Sequence, residues 1–168
     1  MIDSPLIKRV IISTDDDFII ANYTNNYSNK VTTLVRPDHL SGDEVTSDLV
    51  LAYICQQLGD EYLNQFDYGV YMQITEPYRP HDILERCSKL YLESEHDCVF
   101  AAAEYHKNFW TLQGSHLRRL QDGNKPDAPR QEKNTLIRED TGICLVANLQ
   151  LFRSGRRIGS NPGFVFYN

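Results

Sequence analysis

The sequence predicts a single α/β domain built on a largely parallel sheet. Short runs such as Val10-Ile11-Ile12 and Val31-Thr32-Thr33-Leu34-Val35 are β-branched and carry little polar alternation, as strands buried on both faces do. Stretches of helical period lie between such runs, and regular alternation of strand and helix argues for a parallel sheet. At 168 residues the chain is long enough for one domain with a real core.

The elements follow in order. Arg9 to Thr14 reads as the first strand. Asp15, Asp16 and Asp17 come next, and Phe18-Ile19-Ile20-Ala21 opens a helix that fades in the Asn-rich segment Asn25 to Asn29. Thr14 or Asp15 caps this helix, and the acidic residues suit its positive end. As metal ligands the three aspartates are the weaker reading, because consecutive side chains fan apart. Val31 to Val35 is the second strand. Asp48 to Leu58 is a helix with Leu49, Val50, Tyr53, Ile54 and Leu58 along one side, capped by Asp43 or Thr46.

Tyr68 to Ile74 reads as a strand that Pro77 and Pro80 stop, and His81 to Ser94 as a helix. Asp97 to Ala103 is a strand. Gly114 to Asn134 is polar, carries Gly123, Pro126 and Pro129, and leaves the core. Gly142 to Ala147 is a strand, Asn148 caps a short helix to Ser154, and Phe164 to Tyr167 closes the chain as a strand.

Composition bounds the function. The chain is 41% hydrophobic and 24% charged, with a net charge of -6, which argues against nucleic acid as the main ligand. No apolar run reaches bilayer length and no signal-peptide pattern opens the chain, so no membrane is expected and the protein reads as cytoplasmic. Cys55, Cys87, Cys98 and Cys144 are scattered without metal-ligand spacing and read as buried reduced thiols. The five histidines show no ligand spacing. There is no nucleophile elbow and no glycine-rich phosphate loop.

Three connections carry candidate chemistry. Arg36 to Ser47 joins a strand to a helix and holds one cation, several hydroxyls and several carboxylates; it suits an anion, though taken alone it reads first as a capped helix start with Arg36 solvated. Gln73, Thr75 and Arg79 follow a strand, where an amide and a guanidinium can orient a polyhydroxylated acid, or simply cap a turn. Arg130-Gln131 and Arg138-Glu139-Asp140 border the polar excursion and the next strand.

Five segments, in order and at compatible spacing, resemble the acylneuraminate cytidylyltransferases, relatives of the CMP-Kdo synthetases. Arg9 to Asp16 resembles the family's V-I-V-S-T-D strand, and Arg36 to Ser47 its R-P-x-x-L-x-x-D-x-x-S-S segment. Met72 to Arg79 resembles L-Q-P-T-S-P-L-R. Arg130-Gln131 and Arg138 to Ile143 resemble R-Q and R-E-N-G-A-I, and Arg157-Ile158-Gly159 with Phe164-Val165 the late segment. Asp140 stands where the family has Asn, Cys144 where it often has Tyr, and Glu76 where the motif has Ser.

The resemblance implies a three-layer, Rossmann-like nucleotide-diphospho-sugar transferase fold with a mostly parallel sheet, its first strand missing. It implies transfer of CMP from CTP to the anomeric hydroxyl of a sialic-acid-like 2-keto sugar acid, with pyrophosphate released and Mg²⁺ as cofactor. Arg36 and Ser47 would hold the nucleotide; Gln73, Arg130, Asp140 and Cys144 would face the sugar acid. The family's phosphate loop and acidic metal-holding segment have no counterpart in these 168 residues, so no metal ligand is expected within them. The excursion, about 105–137, would pair two copies as a homodimer, with Arg130 serving the neighbour's site. The competing expectation is a non-catalytic nucleotide- or sugar-binding or scaffolding domain derived from this family.

Overall fold

The structure is a computed structural model that describes residues 3–23, 29–120, 129–132 and 134–167. The Asn-rich segment from Asn25 onward lies largely outside the described residues, as do Gly123 and Pro126 of the excursion and the side chain of Arg130.

The chain opens with β1 (Val10–Thr14), α1 (Asp17–Tyr23) and β2 (Val31–Val35). β1 and β2 pair in parallel, with Val10 opposite Val31 and Thr14 opposite Val35. Asp16 holds the start of α1, its carboxylate accepting from the Ile19 N–H at 3.0 Å. Then come α2 (Ser47–Leu58), α3 (Asp60–Leu63), β3 (Gly69–Tyr71) and α4 (Ile83–Leu92). Thr46, not Asp43, caps α2 by accepting from the Leu49 N–H. The remainder is β4 (Cys98–Tyr105), β5 (Trp110–Gln113), β6 (His116–Arg119), β7 (Leu136–Glu139), β8 (Leu145–Ala147), α5 (Leu149–Arg153) and β9 (Pro162–Phe166). Asn148 caps α5 through the Gln150 N–H, as the sequence suggests.

The expected mostly parallel, Rossmann-like sheet is not what forms. Of the six strand pairings described, β3–β8, β4–β7, β4–β8 and β5–β6 are antiparallel; β1–β2 and β4–β9 are parallel. β1 and β2 make their own two-stranded sheet, and five strands around β4 make another. The reason lies after β4. The chain returns through the β5–β6 hairpin and runs back beside β4, where a helical crossover would have kept it parallel. β8 and β9 both bond Cys98 to Phe100, and β7 and β9 both bond Ala102. A strand has two edges, so β7 and β8 share one edge of β4 and β9 takes the other.

Side chains of β4 alternate between two buried clusters, following the period of two. Val99 and Ala101 join Val146, Cys144, Ile143 and the inner side of α4 (Ile83, Leu84, Cys87). Cys98, Phe100 and Ala102 join Leu145, Ala147, Cys55 of α2, Leu63 of α3 and Leu151 and Phe152 of α5. Helices therefore cover both faces of the β4 sheet. Among the described residues no helix is long and apolar enough to cross a membrane.

Two expected strands are shorter for visible reasons, and the excursion holds strands that were not expected. β3 ends at Tyr71 because Gln73 turns away, its N–H donating to the Gly142 carbonyl at 2.8 Å. β8 begins only at Leu145, since residues 140–143 form a turn closed by the Ile143 N–H on the Asp140 carbonyl. The polar excursion contains the β5–β6 hairpin, closed by Gly114 at φ 62°, a value that favours glycine.

Candidate functional site

Four distant segments meet beyond the carboxyl end of β3. The turn 140–143 interrupts the β7–β8 edge opposite Ala101: the Asp140 N–H donates to the Ala101 carbonyl and the Ala101 N–H to the Cys144 carbonyl. This bulge aims the turn at the loop that follows β3. At the amino end of α2, the Tyr71 hydroxyl donates to Ser47 Oγ at 2.7 Å. Arg157, from the connection after α5, lies with its guanidinium 5.3 Å from the centre of the Tyr71 ring. Its Nε donates to Asp48 Oδ1 at 3.0 Å and its Nη1 to Thr141 Oγ1 at 3.1 Å.

The second half of the site is built on Arg79. Its guanidinium donates to the carbonyls of Ile143 at 2.9 Å and Gly142 at 3.2 Å, and through Nη2 to the Gln73 carbonyl. Burial holds its pKa below the ordinary arginine value, and it remains cationic. Three inward-pointing carbonyls are thereby satisfied by one fork, which locks the post-β3 loop to the 140–143 turn. A Cβ at Gly142 would overlap Gln73 Oε1 and come within 3.3 Å of Glu76 Cγ, so a side chain there displaces the Gln73 amide.

The arrangement suits an anionic, hydroxylated ligand. The first turn of a twelve-residue helix supplies N–H groups and dipole, and Arg157 supplies a fork stacked on an aromatic ring. The Gln73 amide offers both a donor and an acceptor beside Gly142. Asp48 tempers the charge of Arg157 without burying it, the two side chains being 31% and 25% exposed.

The remaining expected residues are placed as follows. Ser47 and Gln73 belong to this constellation. Arg36 has local partners: Nη2 pairs with Asp15 Oδ1 at 2.7 Å and Nε donates to Ser41 Oγ, an arrangement that closes the loop after β2. The guanidinium beside Asp15 holds its carboxyl below the usual range. Arg130 opens a one-turn 3-10 helix, Arg130–Glu132, and its side chain lies outside the described residues.

Asp140 is on the site turn, but its carboxylate faces away toward a polar network. Arg138 Nε donates to both of its oxygens at 2.9 Å, and the Tyr167 hydroxyl donates to Oδ2 at 2.7 Å. Arg138 Nη1 and Nη2 go to the hydroxyls of Tyr105 and Tyr167, so this network is closed on itself. Hydrogen bonding to Asp140 pushes the Arg138 pKa up; burial and then the Asp140 bond push that of Tyr167 up. Cys144 is 0% exposed and sits against Cys87, whose thiol, with burial, drives its pKa well above the ordinary thiol value. That side chain is part of the core and presents no surface to a ligand.

Sequence reasoning assigned no role to Tyr71, Thr141, Asp48 or Arg157. No local spacing links positions 48, 71, 141 and 157; the bulge between β7 and β8, opposite Ala101, and the entry to α2 bring them together. Among the described residues no three His, Cys, Asp or Glu side chains cluster as metal ligands, and Asp48 accepts from Arg157. No protein-family model matches this chain, and no curated protein matches it.

Proposed function

We propose that the chain carries the nucleotide- and sugar-acid-handling part of a cytidylyltransferase. It would transfer CMP from CTP to the anomeric hydroxyl of a sialic-acid-like 2-keto sugar acid. One observation supports this reading. Ser47, Gln73, Thr141-Gly142 and Arg157 belong to four separate segments that resemble the same family, and hydrogen bonds place them in one constellation. In this reading the sugar oxygen forms a bond to the α-phosphorus, the bond to the β-phosphate oxygen breaks, and pyrophosphate leaves while the hydroxyl proton passes to solvent. The α2 amino end with Ser47 and Arg157 would hold phosphate charge; Gln73 would orient the sugar acid. Mg²⁺ would arrive on the nucleotide's phosphates, as this ion commonly does.

Four free cysteines support a reducing, cytoplasmic setting. A homodimer is supported by the β5–β6 hairpin. Its register puts Trp110, Leu112 and Leu117 on one face, 55%, 70% and 69% exposed, and an isolated hairpin is marginal in water.

The test is incubation with CTP, Mg²⁺ and a panel of nonulosonic acids, followed by pyrophosphate release. Silence across the panel from folded protein overturns the transferase reading for this chain. Calorimetry that then finds CTP or sugar-acid binding, lost in Arg157→Met, would establish the binding-domain alternative.

A further inference from the structure

β1 and β3 each pair with one strand, and the hydrogen bonds at their ends show which edge is left open. The Val10 N–H donates to the Lys30 carbonyl and the Thr14 carbonyl accepts from the Arg36 N–H, both at 2.8 Å. Along a strand the N–H and C=O groups of alternate residues face opposite edges. Residues 10, 12 and 14 therefore serve β2, and Ile11 and Ser13 turn theirs the other way. In β3 the Gln73 N–H on the Gly142 carbonyl sets the odd positions toward β8, so Val70 and Met72 turn theirs outward. Among the described residues neither outward set meets a hydrogen-bond partner.

The two open edges face one another. Ile7 and Val10, at the entry to β1, belong to or pack on the same buried cluster as Tyr68, Val70 and Met72 around β3. Among the described residues no β2 side chain joins that cluster, so the open side of β1 is the one turned to β3. The amino ends of both strands line one open groove, with Lys8 and Arg9 exposed on one side and Gln65 and Phe66 on the other. Val10-Ile11-Ile12 has the composition of a strand buried on both faces, yet all three, with Val70, Tyr71 and Met72, are only half-buried. Ser13 Oγ is buried beside the same edge and, among the described residues, has no hydrogen-bond partner.

We infer that the facing edges of β1 and β3 receive an extended segment of a partner polypeptide, apolar over about five residues and acidic where it meets Lys8 and Arg9. Only an extended main chain offers N–H and C=O groups at ladder spacing to both edges. The half-buried aliphatic flanks suit apolar side chains, and the exposed cations an acidic end. Residues 36–46, 73–82 and 120–135 of the chain itself carry no run of five apolar residues, which makes a second copy the poorer occupant. The inference does not rest on the transferase reading. Its test is amide hydrogen exchange of the full chain, alone and with the capped heptapeptide Glu-Val-Ala-Ile-Ala-Val-Glu.

In the dilute chain alone, the amides of Ile11, Ser13, Val70 and Met72 should exchange about tenfold or more faster than those of Ile12 and Tyr71, which face β2 and β8. The peptide should slow these four saturably. Methylating its central amide nitrogen should weaken binding about fivefold or more, as should Ser13→Pro, which removes only an outward N–H. Lysine in place of both glutamates should weaken it about twofold or more. The proposal is overturned if the four amides are already protected in the dilute chain, or if the peptide slows none of them. It is overturned equally if the methylated peptide binds as well as the parent, or if Ser13→Pro, shown folded by circular dichroism, binds unchanged. Protection that rises with protein concentration without peptide would assign the edges to a second copy and overturn the partner assignment.

Discussion

Replacing Arg157 by Met tests whether the constellation after β3 is held by this one guanidinium. The substitution keeps most of the side-chain bulk and removes three interactions. Thr141, only 7% exposed, loses its charged donor, which costs about 1.5–2 kcal/mol for a buried hydroxyl left unpaired. The pair with Asp48 is a quarter to a third exposed, so solvent screening reduces it to about 0.5–1 kcal/mol. The face of Tyr71 adds about 0.5–1 kcal/mol. Together the expected loss is about 3 kcal/mol. For a chain of this length that is a fall in Tm of roughly 6–12 °C. Urea denaturation followed by circular dichroism measures it, with the slope unchanged if only stability is altered. Arg157→Lys should fall in between, since one ammonium cannot serve Asp48 and Thr141 while stacked on Tyr71. A double-mutant cycle with Asp48→Asn should return a coupling of about 0.5–1 kcal/mol. Stability within about 0.5 kcal/mol of the parent would refute the reasoning, because that is the scatter of an unremarkable surface change.

Further outcomes are expected elsewhere. Gly142→Ala should displace the Gln73 side chain and raise KM for the sugar acid more than for CTP, with the fold retained; equal effects on both substrates would speak against a sugar-side role for Gln73. At Asp97, burial pushes the carboxyl pKa up, but bonds from the Asn161 and Ser160 N–H groups outweigh it, and the folded pKa lies below the ordinary value. Its stabilisation is therefore complete above about pH 4 and fades as pH falls through the lower folded pKa. Asp97→Ala should be less stable at pH 7 and lose less between pH 4 and 2; parallel pH–stability curves would contradict this. Burial pushes the Cys98 thiol up to about 11, and all four cysteines are buried, so native protein at pH 8 should resist alkylation and react fourfold once unfolded. Leu112→Glu with Leu117→Glu should convert a dimer to monomer in sedimentation; an unchanged mass would leave the hairpin without the proposed role.

Much of the element map was legible because local signals agree with the final structure. The β-branched runs at 10–14 and 31–35, the Thr46 and Asn148 caps and the apolar period of α4 all act within one turn or strand. Strand direction was not legible. Alternation of strand and helix predicts parallel neighbours, yet β7 returns to β4 through a hairpin whose Gln113, Gly114 and Ser115 look from sequence like part of a loop. The site was half legible. Ser47 and Gln73 stood out because each ends or begins an element. Arg157 and Thr141 did not, since what selects them is a bulge opposite Ala101 that depends on sheet register. Asp140 opens the 140–143 turn and Cys144 follows it, and the turn sends one side chain to Tyr167 and the other into the core.

The β5–β6 hairpin has a further consequence for how the molecule opens. Among the described residues none of its strand residues belongs to either buried cluster, and its cross-strand bonds, with the Arg119 guanidinium over the Trp110 ring, contribute much of what holds it. Its amides should exchange with solvent through a local opening that leaves β4 and β8 protected, as a cooperative unit of its own. In a single copy that exchange would be fast and indifferent to mutations in the core. Pairing with a second copy would slow it in proportion to concentration, so the same few amides would act as a built-in gauge of association.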